Sequence, residues 1–154
     1  MSGLANVLQY CSAAALGLWA GALLLEGGVL VPLWRSLPPA QFFAWHPASG
    51  PRLFRFFYPL TVAATLSTAA AAVSSLIAAH PGRWLILISS VLTVAILATY
   101  FLYFEKTNAR FAAASIRPDE LGAELSRWAS WHWVRVALSL VAFAAALLAL
   151  SPLC

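Results

Sequence analysis

VLQYCSAAALGLWAGALLLEGGVLVPLW, residues 7–34, holds a single charged side chain, Glu26, in a run long enough to cross a lipid bilayer. About 20 consecutive apolar residues span the hydrocarbon core as a helix. The stretch therefore reads as a transmembrane helix, ended by Pro32 and by the Pro38-Pro39 pair, which cannot continue it. Working outward, three more stretches of this kind follow, at about residues 54–79, 84–111 and 127–150. Polar punctuation divides them: a loop from Arg35 to Pro51, the turn His80-Pro81-Gly82, and a second loop around Arg117-Pro118-Asp119.

Composition points the same way. Of 154 residues 62% are hydrophobic and 9% charged, against about 25% charged in an ordinary soluble domain. Too little charge remains to coat a water-facing surface, so the expectation is one transmembrane domain, an all-α integral membrane four-helix bundle with antiparallel neighbours. Nine basic residues spread over several connections make no dense stripe of the kind nucleic acid requires. They act instead as topology signals. Arg35, Arg52 and Arg55 in the first connection and Lys106, Arg110, Arg117 and Arg127 in the third outweigh Arg83 in the second, which predicts an N-out/C-out arrangement with the basic loops in the cytoplasm. The start of the chain lacks a basic n-region and runs into an apolar stretch too long for an h-region, so the first helix is expected to stay in the mature protein. Cys11 and Cys154 would then lie near the same outer surface, either bonded or, more plainly, as one helix cysteine and one tail cysteine.

In lipid, helices approach through small residues. Ala13, Gly17 and Gly21 recur at four-residue spacing in the first span, and Ala63, Ser67, Ala71 and Ser75 do so in the second. These faces are expected to meet, and such faces also offer a homo-oligomer contact. Trp19, Trp34, Trp84, Trp128, Trp131 and Trp133 read mostly as interfacial anchors.

Ionisable groups inside a span are costly and demand a partner or a role. Glu26 and Arg135 lie at similar depth from the cytoplasmic side and are expected to pair. His132 and Arg135, three apart, share a helix face that Trp128 and Ser139 extend. Glu105 and Asn108 mark the end of the third span, and Tyr58 opens the second. Each has a plainer reading: Glu105 as a solvated helix-end charge, Asn108 as a cap, His132 as a residue snorkelling to the interface, and Glu26 with Arg135 as a structural ion pair. His46 and His80 each precede a proline and read as loop residues.

These same residues carry a resemblance. GLWAGALLLEGGVLVP (17–32), Leu37-Pro38, Tyr58-Pro59, Thr107-Asn108 and above all Trp128-x-x-Trp131-His132-x-x-Arg135 resemble the anthrone-oxygenase-like family of small four-helix membrane proteins, many of whose bacterial members are classed as domains of unknown function. The resemblance implies a bacterial inner-membrane oxidoreductase acting on a phenolic or quinol-type apolar substrate, with Asn108, His132 and Arg135 lining the site. His132 would serve as base, since an ordinary imidazole takes a proton near neutral pH; Arg135 would hold the resulting anion and Asn108 a carbonyl. Glu26, Tyr58 and Trp128 would complete a pocket in the cytoplasmic half. Activated phenolates react with oxygen directly, so this scheme needs no cofactor, and its partners are membrane lipid and a small apolar substrate. The first span is also similar to copper-resistance membrane proteins and their haem-binding relatives, which bring a histidine into that helix where this chain has none. A metal reading would draw on Glu26, Glu105, His132 and His46. A third class is an accessory or carrier subunit whose polar cluster only locks the bundle.

Overall fold

A computed structural model describes residues 2–151 and is helical throughout, with no strand among them. Helix α1 (Ser2–Leu25) passes through a π-helical turn at Glu26–Leu30 into α2 (Val31–Ser36). Helix α3 covers Pro39–Ile77, and α4 (Arg83–Thr99) passes through a second π-helical turn at Tyr100–Phe104 into α5 (Glu105–Ala112). Helix α6, Leu121–Ala149, completes the set. Four stretches, Gly3–Ser36, Pro39–Ile77, Arg83–Ala112 and Leu121–Ala149, are long and apolar enough to cross a membrane. The protein is therefore an all-α integral membrane four-helix bundle. Cys154 lies outside the described residues; Cys11 is exposed and free.

The spans close into a ring in which α1 touches α3 and α6, and α4 touches the same two. Contacts at α6 run against the residue numbering of its neighbours: Gly17 faces Phe143 and Leu23 faces His132, while Gly82 faces Ala149 and Ser89 bonds to Ala142. The Ser89 hydroxyl donates to the Ala142 carbonyl at 2.9 Å, a polar tie of the kind that joins helices in lipid. The turn between α3 and α4 fits under the end of α6 only because residue 82 is glycine. A Cβ there would stand 2.9 Å from the Ala149 Cα, closer than any real contact allows.

Three expectations need correcting. The Arg35–Pro51 loop is mostly helix, since α3 begins at Pro39 and runs through Pro47, Pro51 and Pro59. A proline removes one donor and crowds the carbonyl four residues back. Here all three prolines are exposed and spaced by four and eight, so the defects fall on one outer stripe and spare the packed face. At about 1.5 Å per residue the 39 residues of α3 reach about 58 Å, nearly twice the hydrocarbon thickness of about 30 Å. Several turns must stand outside the lipid, and Arg52 and Arg55 place that excess at the Pro39 end.

The small-residue seams hold in part: α1 packs on α3, and Ala13, Ala71 and Ser75 are buried, but over this stretch of α3 the buried row is Ala64, Thr68, Ala71, Ala72 and Ser75, with Ala63 exposed. On α1, Gly17 meets Phe143 of α6, and Gly21 faces outward with open space around it. Finally, Trp19, Trp34 and Trp128 are not interfacial anchors: they are at most 3% exposed and form part of the core, whereas Trp84, Trp131 and Trp133 do reach the surface. An indole inside a bundle gains more contact area than any aliphatic side chain, and the alanine-rich neighbours leave room for it.

Candidate functional site

The two turns of α6 from Trp128 to Arg135 form the polar centre of the bundle. Trp128 and His132, one helical turn apart, stack face to face with ring centroids 5.0 Å apart and planes 10° from parallel. Around Trp128 stand Trp34 of α2 and Phe104 of the second π-turn, both edge-on at 5.2 and 5.1 Å. Its indole Nε1 donates to Asn108 Oδ1 at 3.0 Å. Farther toward the Pro39 end, Phe42 and His46 of α3 pack on Phe111 of α5, so aromatic rings from every span fill this end of the molecule.

His132 is fully buried. Its Nε2 lies 2.9 Å from the Leu23 carbonyl, which can only accept, so Nε2 carries the hydrogen and donates. The Nδ1 lone pair is then left free. It has no hydrogen-bond partner and lies 3.5 Å from Glu26 Oε2, an ion-pair distance too long and poorly aligned for a hydrogen bond. An imidazole lone pair beside a carboxylate makes a proton-accepting dyad: a proton taken up by the imidazole removes the repulsion of two acceptors and gains an ion pair.

Arg135 takes a different place from the one its depth suggests. Among the described residues no carboxylate lies within 4.0 Å of it, and its Cζ sits 4.5 Å above the Phe104 ring. Glu26 lies against His132 instead. The cation rests on an aromatic face, a contact that strengthens when water is excluded.

Both π-turns abut this α6 segment. The first carries Glu26 and Gly27, and a Cβ on Gly27 would meet His132 Cδ2 at 3.1 Å. The second carries Phe104 against Trp128 and Tyr103 stacked on Trp131 at 5.6 Å. Single π-turns inside α-helices recur at functional sites, and two converging on one short α6 segment mark the place strongly. The spacing of apolar residues gave no sign of them; the Glu26-Gly27-Gly28 sequence was the one local hint. Glu124 is a second residue that sequence reasoning passed over. It is buried, accepts a hydrogen bond from the Tyr103 hydroxyl at 3.0 Å, and pairs with Arg127 at 3.5 Å and Arg110 at 3.7 Å.

The structure thus gathers His132, Glu26, Trp128 and Asn108, with Arg135 at their edge. It leaves Tyr58 outside: that ring is 58% exposed and packs on Phe54. Among the described residues no three His, Cys, Asp or Glu side chains gather as a metal site. Of the four weak metal candidates Glu26 and His132 meet, whereas Glu105 is exposed and His46 lies among Phe42 and Phe111. Two surface cavities, of about 510 and 230 Å3, lie at the opposite end of the bundle.

Compared with known families, residues 51–145 match the model of the family described as anthrone oxygenase. The chain belongs to the anthrone oxygenase family. No curated protein and no solved structure matches it. The segment shared with anthrone oxygenase includes Asn108, Trp128, His132 and Arg135, and begins after Glu26 and Gly27. In this family member the first-span side of the dyad therefore rests on geometry alone.

Proposed function

We propose that this anthrone oxygenase family member is an oxidoreductase of a bacterial inner membrane that oxidises a phenolic or quinol-type apolar substrate beside His132. The observation that carries the reading is the fixed tautomer of His132, whose free Nδ1 carries its lone pair in the buried interior next to Glu26. Nδ1 takes the substrate's proton, the Glu26 carboxylate stabilises the imidazolium formed, and Arg135 supplies positive charge to the oxyanion. Asn108 accepts from Trp128 through Oδ1, which leaves its amide N–H groups to donate to a substrate carbonyl. With dioxygen as oxidant, the ring methylene of an anthrone becomes a carbonyl and one water leaves, so four electrons move from carbon to oxygen and no external reductant enters. Access is from the lipid side, where half-exposed Trp133 borders the Gly27–His132 contact.

The complete burial of His132 favours a second reading, in which the same residues lock the bundle of a non-enzymatic accessory or carrier subunit. Oxygen uptake by the purified protein with a panel of anthrones and hydroquinones separates the two. Uptake should fall about 100-fold or more in His132→Gln, the usual size of a lost general base, while thermal stability stays close to that of the parent because glutamine keeps an N–H donor for Leu23. Absence of uptake by the parent protein across the panel would leave the locking role as the better account.

A further inference from the structure

At the end of the bundle remote from His132, three side chains and one backbone N–H form a hydrogen-bond chain. The Gly82 backbone N–H donates to His80 Nδ1 at 3.0 Å, which fixes that nitrogen as an acceptor. Gln9 Nε2 lies 3.2 Å from the same atom and 2.9 Å from Ser75 Oγ. Since Nδ1 can only accept, the Gln9 amide must present its nitrogen there, and both of its hydrogens are engaged. Ser12 ties the same stretch of α1 by donating to the Gln9 carbonyl oxygen of the main chain at 2.9 Å.

Two groups remain. The Gln9 side-chain oxygen is buried and has no partner, a state that costs about 1–3 kcal/mol when a carbonyl loses water and gains nothing. On the other side, the neutral His80 ring carries its hydrogen on Nε2 as a donor. Gln9 and His80 both line the cavity of about 230 Å3, together with Tyr10 and Asn6. Among the described residues no carboxylate or ammonium lines it, so Gln9 and His80 match a neutral group that both gives and receives a hydrogen bond. At about 30 Å3 per water the space equals seven or eight waters, and it falls below the roughly 300–1,000 Å3 of pockets that enclose drug-sized ligands. The space suits one small head.

We propose that this cavity binds the neutral hydroxylated head of a membrane-dissolved molecule, with the hydroxyl accepting from His80 Nε2 and donating to Gln9 Oε1 once a small side-chain shift opens that buried oxygen to the cavity. The inference does not rest on the reading of the His132 site, which lies at the other end. Two sources share this chemistry: a phenolic ring of the hydroquinone type and the glycerol head of a neutral lipid.

The test uses the whole protein with isotopically labelled histidine in detergent micelles, where His46, His80 and His132 are the three reporters. A short-chain alkyl hydroquinone and a monoacylglycerol are titrated separately. The expected result is a saturable shift of the His80 ring signals with one probe, leaving His132 unmoved, and at least tenfold weaker binding in Gln9→Leu; the probe that acts identifies the source. Proton cross-relaxation from the bound probe to the Tyr10 ring in the unmodified protein provides a readout that does not depend on the variant folding. His80 signals unmoved by both probes, or a shift of equal strength in Gln9→Leu, would overturn the proposal.

Discussion

Gly27 lacks a side chain at the point where His132 needs the room. A methyl group there would stand 3.1 Å from His132 Cδ2 and 3.3 Å from Nε2, and the ring cannot yield because Trp128 covers its face and Leu23 holds its edge. Gly27→Ala should therefore lower stability by about 1–3 kcal/mol, the usual cost of overpacking. Gly28→Ala, which meets open space, should gain up to about 1 kcal/mol from helix propensity. Thermal unfolding of the two variants in one detergent compares them directly; equal melting temperatures would mean that the His132 packing is loose. At this scale the sequence was informative about which residues matter and less so about whom they touch. Trp128, His132 and Arg135 follow from spacing along one helix. The partner of Glu26 does not, because depth counted along an ideal helix gives height and not direction. A π-turn inserts one residue, and each residue turns the helix by about 100°, enough to send a carboxylate from Arg135 to His132. The same burial revises the cost of losing His132. Read as a snorkelling residue it would be cheap to remove, but fully buried it leaves a void, so His132→Ala is a poor probe of chemistry.

Helix α3 shows how the solvent changes the meaning of a residue. In water Pro47, Pro51 and Pro59 would each tend to break a helix; in the sequence Pro47 and Pro51 read as the end of a loop, whereas Pro59 falls inside the second span. Around Pro59, in the lipid-crossing part, no water rewards an open backbone, so the segment stays helical and tolerates the missing bond, while Pro47 and Pro51 lie in the turns beyond the lipid, where Phe42 and His46 pack the helix on Phe111. Pro59 is exposed on the outer stripe, and its ring leaves the Arg55 carbonyl without its helical donor. Pro59→Ala restores that donor and should stabilise the protein by about 1–3 kcal/mol, up to the full cost of an interior proline, as read by resistance to thermal or denaturant unfolding in micelles. A loss of stability would show instead that the prolines set a bend the bundle requires. The four spans themselves were legible from apolar length and turn residues, whereas the extension of α3 to Pro39 was hidden by prolines whose outward alignment is visible only on the folded helix.

Across the whole molecule, the basic residues gather at one end, where α3 overshoots the hydrocarbon and the aromatic rings of all four spans interlock. The expected orientation puts that end in the cytoplasm. A reporter fused after Leu150 should then read as external, and one inserted near Arg117 as cytoplasmic; the reverse pattern would invert the bundle. The ring order of the spans was not legible, since four helices of similar apolar character can be arranged in more than one order and only specific fits, such as Gly82 under Ala149 and Gly17 under Phe143, select this one. The interlocked aromatic end also alters the units in which affinity is measured. With Trp34, Phe42, Phe104, Phe111 and Trp128 all at most 3% exposed, that end is sealed against the aqueous phase, and a molecule arriving at His132 comes sideways out of the bilayer. Its effective concentration is then its mole fraction among lipids. Adding empty vesicles at constant total substrate should slow turnover by surface dilution, and apparent affinities should follow oil–water partitioning across a substrate series.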